Sequence, residues 1–200
     1  MPKVVDRAEQ RREIGSALLR VVVRDGMEQV SVRTVAAEAG RSAGAVQKYF
    51  ATKDAMLRFA LDLADERMVE RFAAVDRTGP VPVVLHRYLV ASLPLDDVRR
   101  AEVLVRHAFA DKGVRDDQYA RVLRDQDRDI GRVVADLLAG SDEVRHDVDP
   151  LVLADAVLAL ADGFAARMLY TRDQDEALLL AMEVALSGLL QPPLLQPPQR

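Results

Sequence analysis

The sequence predicts an all-α protein of about nine helices. Apolar residues recur at the i, i+3, i+4, i+7 spacing of an amphipathic helix along almost the whole chain. No proline stands between Pro2 and Pro80, and four of the nine prolines fall in the last ten residues. No segment alternates polar and apolar residues between turn dipeptides, so no sheet is expected.

The elements follow in order. Ile14, Ala17, Leu18, Val21 and Val22 form the buried stripe of a first helix, and Gly26 is its stop. Ser31 caps a short helix over 32–39, with Val32, Val35 and Ala36 facing inward, and Gly40 can take the left-handed conformation that ends it. Ser42 caps a second short helix, 43–49, after a turn of only a few residues. Thr52 caps a long helix through Leu57, Ala60, Leu61, Ala64, Met68, Phe72 and Val75, which ends near Thr78-Gly79-Pro80. Later stripes predict helices over 82–92, 97–110, 116–138, 151–170 and 174–190. Asp96 and the pair Asp173 and Glu176 read as N-terminal signals. The Pro-rich stretch 191–200 cannot be helix and is expected to be a disordered tail.

The last two helices are apolar on more than one face. Ala154, Val157, Leu158, Ala161, Phe164, Ala165 and Met168 make one side of the first, and Leu153, Ala156, Leu160 and Leu169 add another. Leu178, Leu179, Leu180, Met182, Val184 and Leu186 crowd the second. In a chain of 200 residues such helices are expected to be shared with a second copy, so a homodimer through 151–170 and 174–190 is predicted, built as a four-helix bundle.

Composition narrows the function classes. With no cysteine, the chain has no disulfide framework, no thiolate metal site and no cysteine nucleophile. No apolar run reaches the length of a membrane span and no apolar leader opens the chain, so no membrane partner and a cytoplasmic location are expected. No glycine-rich phosphate loop, nucleophile elbow or His-Glu-x-x-His motif is present, and neither catalysis nor a cofactor is expected.

The stretch from Ser31 to Lys53 carries the chemistry. Two short helices joined by a tight turn, with small Ala36, Ala39 and Ala43 where they cross, have the anatomy of a helix-turn-helix whose second helix fits a DNA major groove. Ala43, Gly44 and Ala45 open that helix without bulk, so its backbone can approach DNA. Gln47 and Lys48 point outward toward base edges or phosphates, and Tyr49 can offer its hydroxyl to a phosphate. Lys53 sits in the first turn of the next helix, where amides and an ammonium can hold a phosphate together. Arg33, Thr34, Arg41 and Ser42 flank these residues as further backbone contacts.

This arrangement resembles the TetR family of bacterial transcriptional regulators. The resemblance covers residues 10–60 and is carried by Ser31-Val-Arg, Ala36, Gly40, Ser42, Gly44, Val46, Tyr49-Phe50, Lys53 and Leu57. Beyond residue 60 it is one of architecture. It implies a head over 1–55, a body over 56–190 that binds an effector and dimerises, and a repressor that reads a palindromic operator in double-stranded DNA. It also implies release by a small molecule in the 80–170 core, which shifts the fourth helix and separates the two heads. Two residues depart from the family pattern. Gln47 stands where an aromatic is usual, and Arg41 stands where a small aliphatic is usual.

Candidate effector contacts are the polar and aromatic residues of the core: His86, Tyr88, Arg106, His107, Phe109, Tyr119 and Asp162. Two weaker patterns read as structural. Asp125, Asp127 and Asp129 precede Gly131 like a calcium loop, but the glycine comes one place late and no Glu closes the loop, so a solvated helix face is expected. Glu143 and His146 have the Glu-x-x-His spacing of di-iron bundles but occur once, in a polar connection. A helical-bundle metal or oxygen-handling enzyme with an incidental helix-turn-helix is the alternative reading.

Charge is divided unevenly. The whole chain carries a formal −4, yet residues 1–58 hold 11 Lys+Arg against 7 Asp+Glu, a net +4, which leaves −8 for the remainder. Two of the four lysines are Lys48 and Lys53. A basic head on an acidic body directs only the head toward nucleic acid.

Overall fold

The computed structural model describes residues 7–171 and 173–191. Among them lie nine α-helices and no strand: α1 Arg7–Asp25, α2 Val32–Glu38, α3 Ala43–Gln47, α4 Lys53–Ala73, α5 Val81–Ser92, α6 Asp97–Gly113, α7 Asp117–Ala139, α8 Pro150–Met168 and α9 Asp175–Leu190. A single 3-10 turn, Met27–Gln29, follows Gly26. The expected tail lies outside the described residues except for Gln191, which closes α9.

The start and stop signals behave as their chemistry requires. The Asp96 carboxylate accepts from Arg99 N at 2.8 Å, and Thr52 Oγ1 accepts from Ala55 N at 3.0 Å. Gly40 has φ +62, the left-handed region that costs glycine nothing and any other residue strain. One signal differs from expectation. The residue before α9 is Gln174, with no side-chain cap, while Asp175 and Glu176 occupy the first turn. Their carboxylates serve the positive end of the helix dipole instead of a cap. Residues 125–131, which mimic a calcium loop, lie within α7, where Arg128 pairs with Asp125 at 2.8 Å.

The described chain packs as two compact units, residues up to Ala73 with Pro94–Ala120, and Ala74–Leu93 with the residues from Arg121 onward. In the first, α1 packs on α2, α4 and α6. Ile14, Ala17, Leu18, Val21, Val35, Val46, Ala60 and Val105 are fully shielded. Each such Leu or Ile stabilises the unit by ~1.5–3 kcal/mol relative to an exposed one. At Gly15 a Cβ would stand 2.9 Å from Phe59 Cε1 and 3.1 Å from Leu63 Cδ2, so any side chain there would have to displace the Phe59 ring from its place against α1. The expected head boundary at residue 55 falls in the first turn of α4, which continues unbroken for 21 residues.

Charged side chains tie α4 to α6 inside this unit. Glu102 is 6% exposed and its Oε2 accepts from Arg71 Nη2 at 2.7 Å, while its Oε1 lies 3.8 Å from Arg67 Nη1. Burial raises the Glu102 pKa, against the pull of Arg71. Asp65 is raised further, to about 6, by burial, with Arg106 pulling it down. A folded-state pKa above the unfolded one means that the folded chain holds the proton more tightly. The stability from protonated Asp65 is therefore complete near pH 4 and lost as pH rises through 6. Asp65→Asn is expected to flatten most of the fall in stability across that window and to stabilise the protein at pH 7 by up to about 2 kcal/mol, measured by urea unfolding at several pH values. An unchanged profile would show that Asp65 is not the titrating group.

In the second unit α8 packs on α9, and α5 on both. The core includes Val84, Leu85, Leu89, Leu93, Leu153, Ala154, Val157, Met168, Leu178, Met182, Leu186 and Leu190. Glu143 accepts from the Val81 amide at 2.8 Å, and the Arg145 amide donates to the Leu190 carbonyl at 2.8 Å. These bonds satisfy orphan groups at one end of α5 and one end of α9. Side chains that complete no core remain outside: Leu151 is 54% exposed, Val152 58%, Leu180 62% and Val184 66%.

Candidate nucleic-acid interface

The head is built from reciprocal caps. Ser31 Oγ accepts from the Thr34 amide at 3.1 Å, and Thr34 Oγ1 accepts from the Ser31 amide at 2.9 Å, a capping box that starts α2. The α2 helix ends at the left-handed Gly40, the chain turns through Arg41, and Ser42 Oγ accepts from the Ala45 amide at 3.1 Å to start α3. Val46, fully buried, anchors α3, and Phe50 follows at 1% exposure, its ring 5.3 Å from that of Phe59 on α4. Glu38 ties α2 to α1 through Arg20 Nε and Arg24 Nη1, each at 2.6 Å.

This frame leaves one side of α3 open. Ser42, Gly44, Gln47, Lys48 and Lys53 are exposed, as is Arg33 on α2. The side chains of Arg33, Gln47, Lys48 and Lys53 make no hydrogen bond or ion pair with any described residue. They are three cations and a neutral donor on α2, on α3 with its closing residue, and at the start of α4, whose side chains have no internal partners, as a surface for phosphates and base edges requires. Gly44 points the same way. It is helical, and a Cβ there would meet nothing within 4 Å. Packing does not call for a glycine at this position, and in a helix it costs about 1 kcal/mol relative to alanine.

Besides Ser42, which caps α3, three of the candidates already have partners. Thr34 Oγ1 donates to the Gln29 carbonyl at 2.8 Å besides its role in the capping box. Arg41 Nη2 donates to Glu13 Oε2 at 2.5 Å, and the Tyr49 hydroxyl donates to Gln10 Oε1. Arg11 stacks on the same corner, its guanidinium carbon 5.3 Å from the Phe50 centroid and 4.6 Å from that of Phe59. Gln10, Arg11 and Glu13 are absent from the sequence reading. Their one signal is the i, i+3 spacing of Gln10 and Glu13 on the α1 face that leads into Ile14 and Ala17. Beside Lys53, Asp54 would repel a phosphate were it not paired with Lys112 Nζ from the last turn of α6. The bond from Lys112 holds the Asp54 carboxyl below its ordinary range.

The effector candidates divide between the two units. In the first, Phe109 is buried core and its ring lies 5.2 Å from Tyr119, which Lys112 also covers at 4.8 Å. Arg106 is half-buried there and His107 is exposed. In the second, His86 and Tyr88 on α5 are half-buried, while Asp162 is exposed on an α8 that runs unbroken through Asp162-Gly163.

A capped two-helix motif with an open basic side, mounted on a helical body, defines a DNA-binding transcriptional regulator of the helix-turn-helix class. Residues 14–59 match the family described as bacterial regulatory proteins, tetR family, and residues 84–190 match the BetI-type transcriptional repressor C-terminal family. The chain belongs to the TetR family. It is 33% identical over 174 residues to the HTH-type transcriptional regulator PksA of Bacillus subtilis, covering 82% of this chain and 81% of that protein. It is 24% identical over 164 residues to the nicotine-responsive repressor HdnoR of Paenarthrobacter nicotinovorans, covering 80% and 83%. A transcriptional regulator from Rhodococcus sp. Rha1 superposes with a TM-score of 0.80 at 30% identity, over 90% of this chain and 95% of that one. The multidrug binding protein EbrR, in complex with imidazole, does so at 0.67 and 28% identity, over 94% and 93%. Members of this family are transcription factors and not enzymes, so the metal-enzyme alternative is set aside. No helix among the described residues is long and apolar enough to cross a membrane.

Proposed function

We propose that the protein is a ligand-responsive repressor that binds a palindromic operator as a homodimer and is released by a small molecule. The observation that carries the DNA half of this reading is the unpartnered set Arg33, Gln47, Lys48 and Lys53 around a Gly44 that the fold itself does not require. In this reading α3 enters the major groove, Gln47 meets base edges, and Lys48, Lys53 and Arg33 neutralise phosphates. Arg41, Ser42, Ala43, Ala45, Thr34 and Tyr49 complete the contact surface or hold it in place.

The homodimer is supported by α8 and α9. Their exposed sides carry Val152, Leu180 and Val184 together with Gly163 and Gly188, and at both glycines a Cβ would meet nothing within 4 Å. Apolar side chains beside open glycines suit a close helix crossing with a second copy. A small-molecule effector is supported by the nicotine response named for HdnoR and the multidrug binding named for EbrR. We assign its recognition to the body, residues 56–190, with half-buried His86 and Tyr88 on α5 as the first contacts to substitute.

Selection of duplexes from random DNA is expected to return a palindrome whose complex weakens steeply with salt, each phosphate contact adding about 0.9 to the slope of log affinity on log salt. Failure to enrich any duplex would refute the reading. Gly44→Ala gives a second check. It is expected to raise the thermal midpoint, since alanine is favoured in helix by ~0.5–1 kcal/mol, while weakening the operator complex through the added methyl. A stabilised variant with undiminished affinity would remove α3 from the groove.

A further inference from the structure

The α3 helix is five residues long, barely more than one turn, and only Val46 of it is buried. So short a helix has little stability of its own, and its buried anchors, Val46 and the Phe50 that follows it, both lie toward its C-terminal end. Two polar ties from α1 supply the missing constraint. Arg41, in the turn just before α3, donates to Glu13 at 2.5 Å, and Tyr49, just after it, donates to Gln10. Gln10 and Glu13 lie one turn apart on α1, so both ends of the reading helix are held by one face of one long helix. Between the ties, Arg11 covers Phe50 and Phe59.

We infer that Gln10 and Glu13 are positioning residues for DNA recognition: they set the angle at which α3 presents Gln47 and Lys48, without touching DNA. Arg41 then acts as the strut that Glu13 grips instead of as a free phosphate contact. The inference rests on the reading of α3 as the groove-entering helix. It also has a sign that electrostatics alone would reverse. Removing a carboxylate from a DNA-facing head by itself tightens DNA binding, and here it would also free Arg41 for a phosphate. Loss of a positioning tie loosens binding instead.

The test uses the full chain and the duplex selected for the wild type. Glu13→Gln keeps the shape of the side chain and removes the charge that grips Arg41, and Tyr49→Phe removes only the hydroxyl at the other tie. Each is expected to weaken the operator complex by about 3- to 10-fold and to narrow its preference over single-base variants of the site. The salt slope and the thermal midpoint are expected to stay at their wild-type values, because neither a phosphate contact nor core packing is lost. A Glu13→Gln complex that is equal to or tighter than wild type overturns the inference. So does a slope changed by about one, which marks a phosphate contact, or a loss of affinity matched by a lowered midpoint. A wild-type chain that enriches no duplex overturns the reading of α3 and this inference with it.

Discussion

A chain carrying Leu180→Asp and Val184→Asp is expected to sediment at 22.1 kDa, and the wild type, as the proposed homodimer, at twice that mass. Both side chains are more than half exposed in the single chain, 62% and 66%, so carboxylates there leave the helix and its core intact. Helicity by circular dichroism is therefore expected to be unchanged. Inside a dimer interface the same carboxylates would be stripped of water with no partner, which costs several kcal/mol each. DNA binding is expected to fall with dimerisation. Two heads joined in one molecule engage the second half-site at high effective concentration, a gain of about 10²–10⁴ that a monomer forfeits. A variant that remains a dimer would place the interface elsewhere. A true monomer with wild-type operator affinity would remove the palindrome.

Phe50→Ala tests the head by the opposite route. The ring is 1% exposed, lies 5.3 Å from Phe59 and is covered by Arg11, and it sits directly after the reading helix. Truncating such a side chain costs about 3–5 kcal/mol through lost transfer energy and the cavity left behind. The loss falls in the unit that contains α1 to α4, while the exposed sides of α8 and α9 are untouched. The expected result is a first unfolding transition at lower temperature, loss of operator binding, and a mass that stays at twice the chain. The two variants thus separate the functions: one folds and binds weakly because it is alone, the other pairs but cannot read. Retained stability and binding in Phe50→Ala would show that the corner formed by α1, α3 and α4 does not hold the motif.

What the sequence made legible was local. The caps Ser31, Ser42, Thr52 and Asp96, the left-handed Gly40 and the apolar stripes each act within a few residues, so their spacing alone determines the helices they start and stop. The unpaired residues Gln47, Lys48 and Lys53 were legible for the same reason: a helix-turn-helix puts those positions outside. Partner choice across the fold was not legible. Arg41 and Tyr49 read as phosphate contacts, yet they find Glu13 and Gln10 at 28 and 39 residues' separation. No pattern in the sequence singles out Glu102, and only the approach of α4 shows it buried against Arg71. The Asp173 and Glu176 signal failed because several carboxylates near one helix start compete, and the dipole is satisfied by Asp175 and Glu176 without a cap.

The central claim is that this chain reads DNA with α3 and does so in pairs. Titrating the wild-type protein into a fluorescent duplex of the selected site, at several salt concentrations, tests it most directly. The expected result is saturation at two chains per palindromic duplex, or a multiple of two, with log affinity falling linearly and steeply with log salt. Saturation at one chain per duplex, or an affinity indifferent to salt, would contradict it.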